Sequence, residues 1–550
     1  MFIFHTEYNS VLIVYVHWIG RNMKSIHELS FGKRDAVAYK TPKEKSLFES
    51  IFVADKHLDE LCSSSNYFLT GDKGTGKTAY AKFISEVGYC GFTGNLVSME
   101  DTDYRRFIEL KNKKNLSSSD YSNIWNVVLL LLVANELATK EGENIFKHLK
   151  FKKLHDAIDE FYFSSFKPEI HNALELVESS ADAASQMYSN ISASENSRTP
   201  MFKDDMTKRN MMYIIKQFED AIKSTSLEKK HILFIDGIDV RPDFISYEEY
   251  LECVKGLSNS IWYLNTKIFS DLLADNVNIK VVLLIRPDIL DSVRLQNLNN
   301  KMNDNVVLLD WRTSYNEYEN SVIYELADRI LSSQQSKNYN IGECWEHYFP
   351  FSSQYNRNKD KSFVEFLRYS FSRPRDIIAM MECMKSIRTR NGDSNNCSSF
   401  SLEDFKRATP DFSNYLLGEI KDYLSFYYKE DDFDTFRKFF DYLSEQQHGR
   451  GTDFTPEQFN EAFDRFSDYL AKNIMEKPVI FNTADTLLQF LYELNIICYE
   501  DGKLRSGNTK YCWCYKERNY ANMRPKVKFS YEYRVHYGIG RALGLIKNNF

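Results

Sequence analysis

The sequence predicts an α/β fold built on a doubly wound parallel sheet, and three observations predict it. Short apolar runs at residues 67–70, 231–236, 280–285 and 306–311 have the length and composition of buried strands, with a short candidate second strand at 94–99. Helical patterns separate them, as the crossovers of a parallel sheet require. A glycine-rich loop, Gly71-Asp72-Lys73-Gly74-Thr75-Gly76-Lys77-Thr78, joins the first run to a helical pattern opening with Ala79-Tyr80-Ala81.

That strand–loop–helix unit carries the first chemistry. Glycines let the backbone close into a cup whose N–H groups face an anion, and the helix N-terminus adds partial positive charge. Lys77 is placed to reach β and γ phosphates and the Thr78 hydroxyl to hold Mg²⁺. The loop therefore predicts binding of a nucleoside triphosphate, with ATP and Mg²⁺ as the expected cofactors.

The run His231-Ile232-Leu233-Phe234-Ile235-Asp236 reads as a central strand that delivers a carboxylate to the ligand-binding edge of the sheet. Asp236 there would orient Mg²⁺ beside Thr78. Gly237 stands where many water-activating ATPases carry Glu. The next carboxylate, Asp239, either polarises the attacking water or caps the turn. The run 280–285 ends in Arg286-Pro287-Asp288. Arg286 either senses charge near the γ-phosphate or holds the loop through Asp288.

The run 306–311 leads into a helix around residues 325–330. A helical segment at 363–369 then meets Phe371-Ser372-Arg373-Pro374-Arg375-Asp376, and Pro374 suits the first turn of the next helix. Arg373 and Arg375 put two positive charges at a helix start, which the macrodipole disfavours unless an anion offsets them. A nucleotide phosphate is one candidate; Asp376 and Glu382 are the other.

Elsewhere, residues 23–60 form a polar lead-in ending in a helical pattern, 104–178 and 205–223 read as helix, and 179–197 as a mobile loop. Residues 411–445, 455–476 and 483–493 also read as helix. Strands at 496–499 and 511–515 follow, then a strand at 533–536 and a closing helix at 540–546. Helix followed by hairpin is the outline of a winged-helix module. Lys503, Arg505, Lys510, Lys516, Arg518, Arg524, Lys526 and Lys528 make that hairpin region basic, fit either for phosphate contacts or for a solvated wing.

Composition bounds the rest. A chain of 550 residues implies two to four domains. Seventy Lys and Arg against 77 Asp and Glu give a net charge of -7, which excludes a broadly basic nucleic-acid coat but permits a local patch. Nine cysteines without a C-x-x-C pair predict reduced, mostly buried thiols in a cytoplasmic protein, and Cys512-Trp513-Cys514 is too closely spaced for zinc. The apolar stretches at 11–16 and 127–134 are shorter than a membrane span. The first, preceded by Glu7, lacks signal-peptide character, and Met23 is an alternative start. The second continues a core helix from 125 to 137, so a soluble protein with no membrane contact is expected.

Taken in order, Phe31-Gly32-Lys33-Arg34-Asp35-Ala36, the 71–78 loop, Asp236-Gly237-Ile238-Asp239, Arg286-Pro287-Asp288, Asp310-Trp311 and Arg373-Pro374-Arg375-Asp376 resemble the bacterial ORC-like AAA-type P-loop ATPases. These lie close to the STAND and KAP-like signal-transduction ATPases and are often encoded in prophages or defence islands. The resemblance spans roughly residues 30–545. It implies an ASCE-type core at 31–335 with a helical insertion at about 104–225, after an N-terminal extension at 1–30. It also implies a helical lid at 336–400 and a helical and winged-helix-like domain at 401–550. It further implies ATP on Gly71–Thr78, Mg²⁺ at Thr78 and Asp236, sensing by Arg286, a lid arginine at Arg373 or Arg375, homo-oligomerisation, and a role in anti-phage defence or prophage exclusion.

The leading expectation is an ATP-driven switch. A DNA-binding initiator or loader, with DNA or protein held by the C-terminal module, is the alternative, and a nucleotide-bound scaffold without turnover is another. A small-molecule phosphotransferase lacks an acceptor-pocket signature. No nuclease, protease or deaminase constellation is present.

Overall fold

The computed structural model describes residues 23–114, 121–141, 174, 200–224, 227–270, 279–293, 304–355, 358–390, 398–428, 430–446, 452–474, 477–503 and 509–546. The expectations for residues 1–22, for the helix beyond 141, for the loop at 179–197 and for Arg505 lie outside them. Two compact units divide the chain. One comprises the described parts of Lys56–Lys73 and Lys77–Leu309; the other comprises those of Met1–Asp55, Gly74–Gly76 and Asp310–Phe550.

An α/β fold with a five-stranded, all-parallel central sheet forms the first unit. Its strands are β1 (Phe68–Thr70), β2 (Phe92–Ser98), β3 (Lys230–Asp236), β4 (Ile279–Ile285) and β5 (Val306–Leu308), in the order β2-β3-β4-β1-β5. β4 is buried along its whole length and β3 along all but its ends, as central parallel strands covered on both faces must be. β2 alternates buried and partly exposed residues, which suits an edge. β1 pairs with β4 on one side and β5 on the other, so the chain leaves β1, runs out to the far edge and returns. Because all strands are parallel, the residues after Thr70, Ser98, Asp236 and Ile285 emerge on one edge of the sheet, where such folds bind ligands.

The run 306–311 proves a strand only to Leu308. Leu309 N–H makes the last bond to Thr70 O at 2.8 Å. Asp310 Oδ1 then accepts from Arg312 N–H at 2.9 Å, an Asx turn that redirects the chain.

At the opposite end of the sheet lies a buried lysine. Lys280 on β4 is 3% exposed, and its ammonium donates to Leu61 O, to Ser63 O at 2.6 Å and to Asn66 O at 3.4 Å. These are carbonyls left over at and beyond the end of the helix Lys56–Leu61. Burial pushes the Lys280 pKa down to about 7.

The helix Tyr121–Glu141 is longer than the apolar run within it. Among the described residues it is the one helix long and apolar enough to cross a membrane, and 72% of its apolar window is buried inside the protein. Of the described cysteines, Cys253, Cys344, Cys383, Cys498, Cys512 and Cys514 are buried, and none of those described is disulfide-bonded.

In the second unit, helices Pro374–Arg390, Leu402–Tyr427, Glu430–Gln446, Pro456–Asn473 and Ala484–Glu493 accompany two small antiparallel sheets. One is the hairpin β6 (Ser352–Tyr355) and β7 (Asn358–Lys361). The other has the order β10-β9-β11-β8, from β8 (Asp453–Phe454), β9 (Ile497–Lys503), β10 (Thr509–Cys512) and β11 (Tyr533–Val535). Two expectations fail here. The 511–515 strand stops at Cys512 and a helical turn, Cys514–Glu517, follows. Tyr515 N–H is diverted to Asn495 Oδ1, and Tyr492 and Tyr499 hydroxyls both donate to Glu517. Residues 540–546 form turns and no helix: Gly544 has φ +75° and Leu545 N–H reaches back to Gly540 O at 2.9 Å.

Candidate functional site

The glycine-rich loop follows β1 and leads directly into the helix Lys77–Glu86. Gly74 (φ +87°) and Gly76 (φ +94°) occupy left-handed backbone conformations that only glycine adopts without strain. Thr75 and Lys77 are buried, while Asp72, Lys73 and Thr78 are partly exposed.

Within the first unit, three acidic or basic side chains converge behind this loop. Thr78 Oγ1 donates to Asp236 Oδ2 at 2.6 Å, joining the loop helix to the end of β3 across the intervening β4. The other Asp236 oxygen accepts from Gly237 N–H at 2.8 Å. Lys77 Nζ donates to Gly71 O at 2.9 Å and lies 3.1 Å from Asp239 Oδ2. Burial pushes the Asp236 carboxyl above its ordinary value and the nearby Asp239 charge adds to this, against the Thr78 and Gly237 donors and Lys77.

The turn that carries Asp239 is fixed from behind. Tyr250 is buried on the helix Tyr247–Tyr263 and its hydroxyl donates to Ile238 O. Tyr104 packs beside it with its ring tilted, centroids 5.9 Å apart. Gly237 has φ +81°, and a Cβ there would lie 2.5 Å from Met99 O and 2.9 Å from Met99 N. Met99 N–H bonds Asp236 O at 2.9 Å, so the ends of β2 and β3 are zipped too tightly for a side chain. The position after Asp236 is therefore glycine for a steric reason. Tyr104 and Tyr250 were missed in the sequence, where each reads as one more helical aromatic.

Two polar atoms at this edge are buried with no hydrogen-bond partner, Thr70 Oγ1 and Asp239 Oδ1. Among the described residues no cluster of three His, Cys, Asp or Glu could hold a metal by itself. One carboxylate and one hydroxyl are the hard oxygen donors that Mg²⁺ takes when phosphates and water complete its shell. The donor set fits a Mg²⁺–triphosphate pair, which Thr78 and Asp236 would hold.

Arg286 is 2% exposed and turns back onto its own helix start. Its Nε and Nη2 meet the two Asp288 oxygens at 3.1 and 2.6 Å. That is the contact of the loop-holding alternative.

The two arginines of the second unit differ sharply. Arg373 donates to both oxygens of Asp376, at 2.9 and 2.7 Å. Asp376 is fully buried and also accepts from Phe371 N–H at 2.9 Å and Tyr415 Oη at 3.1 Å. Ser372, between them, has φ +53°, an uncommon conformation for a non-glycine residue. Arg375 instead reaches Glu419 Oε2 at 3.3 Å and Arg34 O at 3.1 Å. A Cβ placed on Gly74 would sit 3.2 Å from Arg375 Cβ. Trp311 Nε1 donates to Thr75 O at 2.8 Å, so the loop tip is held inside this unit. Glu419, 44 residues from Arg375, carried no sequence signal.

The basic residues near the C-terminal hairpin are largely occupied. Arg524 binds Glu493 at 2.7 and 2.9 Å, Lys510 and Lys528 share Asp501, and buried Arg518 donates to Met523 O. Lys516 lies over the rings of Tyr315 and Tyr515.

No protein-family model matches the chain, and no curated protein matches its sequence.

Proposed function

We propose that the chain is a P-loop ATPase of AAA type that works as a switch, binding ATP with Mg²⁺ and hydrolysing it. The observation that carries this reading is the Thr78–Asp236 hydrogen bond, which brings a loop hydroxyl and a strand-end carboxylate to one point beside Lys77. Backbone N–H groups of Gly71–Thr78 would cradle the phosphates, Lys77 would neutralise them, and Thr78 with Asp236 would hold the metal. The metal supplies charge neutralisation on the triphosphate. Asp239, a carboxylate 3.1 Å from Lys77 and outside that pair, would order the water. Arg286 holds its loop through Asp288.

Arg375 is the better lid arginine, because its side chain lies against Gly74 while Arg373 is spent on Asp376. The helix followed by the β9–β10 hairpin supports a winged-helix-like module as the part that the switch moves. On the resemblance, its setting is anti-phage defence or prophage exclusion in the cytoplasm, as a homo-oligomer. The paired state of the basic cluster speaks against DNA as the first partner to test.

ATP turnover by the wild type and by Lys77→Ala, measured with mass determination of the assembled species, tests the reading. Turnover confined to the wild type supports it; equal rates in both reject it.

A further inference from the structure

We infer that Asp239 is an internal counter-ion for Lys77 that a bound polyphosphate must displace, so the loop carries its own competitor. The inference rests on the ATP-binding reading and adds a regulation of that site.

Lys77 is 6% exposed, and its ammonium has two partners, Gly71 O at 2.9 Å and Asp239 Oδ2 at 3.1 Å. A buried ammonium without a counter-charge is costly, so the pair stabilises the loop when no anion is present. The same pair blocks the ligand. A bound phosphate needs the Lys77 ammonium that Asp239 now engages, and a carboxylate beside that ammonium repels an incoming polyanion.

Asp239 is built to stay in place. Tyr250 fixes the carbonyl of Ile238 just before it, and Gly237 is clamped against Met99. Its other oxygen, Oδ1, is buried with no hydrogen-bond partner, so the carboxylate is only half satisfied by the lysine. Lys77, on a flexible four-carbon stem, is the member free to move. Anion binding then swings Lys77 from carboxylate to phosphate and leaves Asp239 without its counter-ion. The exchange sets a threshold: a polyphosphate carries enough charge to win Lys77, and a weak anion does not.

The test is equilibrium binding of ATP and of ADP in EDTA, without metal, to the full chain and to Asp239→Asn. Removing one like charge should tighten both about ten-fold. Asp239→Ser serves the same purpose if the asparagine variant does not fold, with circular dichroism as the check on folding. Wild-type binding that stays equal to or tighter than that of the folded variant overturns the inference and leaves the ATP-binding reading standing. No nucleotide binding by the wild type, with or without Mg²⁺, overturns both.

Discussion

Thr78 Oγ1 lies 2.6 Å from Asp236 Oδ2, a contact between residues 158 apart in sequence that lashes the loop helix to the end of β3. The pair spans the width of β4, so it exists only because the sheet order sets β3 two strands from β1. Asp236→Asn keeps the shape and an acceptor for Thr78 while removing the charge a cation needs. The expected result is ATP affinity that no longer improves when Mg²⁺ is added, with metal-free affinity within a few-fold of the wild type. Titrations with and without Mg²⁺ check it, and an undiminished Mg²⁺ effect would remove Asp236 from the metal site.

Gly237 gives a second prediction. Restoring an acid next to Asp236 looks like an improvement on paper, yet the backbone of Met99 occupies the space and φ is +81°. Gly237→Glu should unfold at lower denaturant, by about 1–3 kcal/mol for a side chain forced into a left-handed site, more if Met99 shifts. Turnover should fall with it. A Gly237→Glu protein as stable as the wild type and faster would show that the β2–β3 clamp is slack.

Lys280 predicts a pH dependence. Its pKa falls from the ordinary lysine value to about 7 in the fold because burial penalises the charged form. Between that value and the unfolded pKa of about 10.4 the unfolded chain binds the extra proton, so stability rises with pH across this window. The slope is at most about 1.4 kcal/mol per pH unit. Below about pH 7 the lysine is charged in both states and the penalty is fully present. Urea unfolding at pH 7, 8 and 9 should show the rise in the wild type and a flatter profile in Lys280→Met. Parallel profiles would mean that the three carbonyls hold the ammonium charged throughout.

The sheet was legible in the sequence because central parallel strands are buried on both faces and must be unbroken apolar runs. β3 and β4 begin within one residue of their expected starts and end at the expected residue. β2 begins at Phe92, earlier than expected, because an edge strand alternates and its first residues look like loop. The glycine loop and Asp236 were visible for the same local reason: their chemistry sits in consecutive residues. What stayed hidden depends on contacts between distant residues. Nothing near Tyr250 says that its hydroxyl meets Ile238, and nothing near Glu419 says that it meets Arg375. Gly237 read as a departure from a pattern, and only the approach of Met99 shows it as a requirement. The closing helix at 540–546 misled because Gly544 turns the chain at positive φ, a conformation that its neighbours in sequence do not announce.

Arg373 and Arg375 stand two residues apart and should behave oppositely. Arg373→Ala strips both hydrogen bonds from Asp376, a carboxylate with no exposed surface, and leaves it only Phe371 N–H and Tyr415 Oη. Breaking one side of a buried pair costs about 3–5 kcal/mol, so this variant should melt early whatever the nucleotide. Arg375→Ala loses a longer, more exposed pair with Glu419, worth about 1 kcal/mol or less, and should fold normally. Its defect should lie in turnover, since the lost guanidinium is the one beside Gly74. Thermal melts and ATPase rates on both variants separate the two. An early-melting Arg375→Ala, or an Arg373→Ala that folds well and fails only in turnover, would reverse the assignment of the lid arginine.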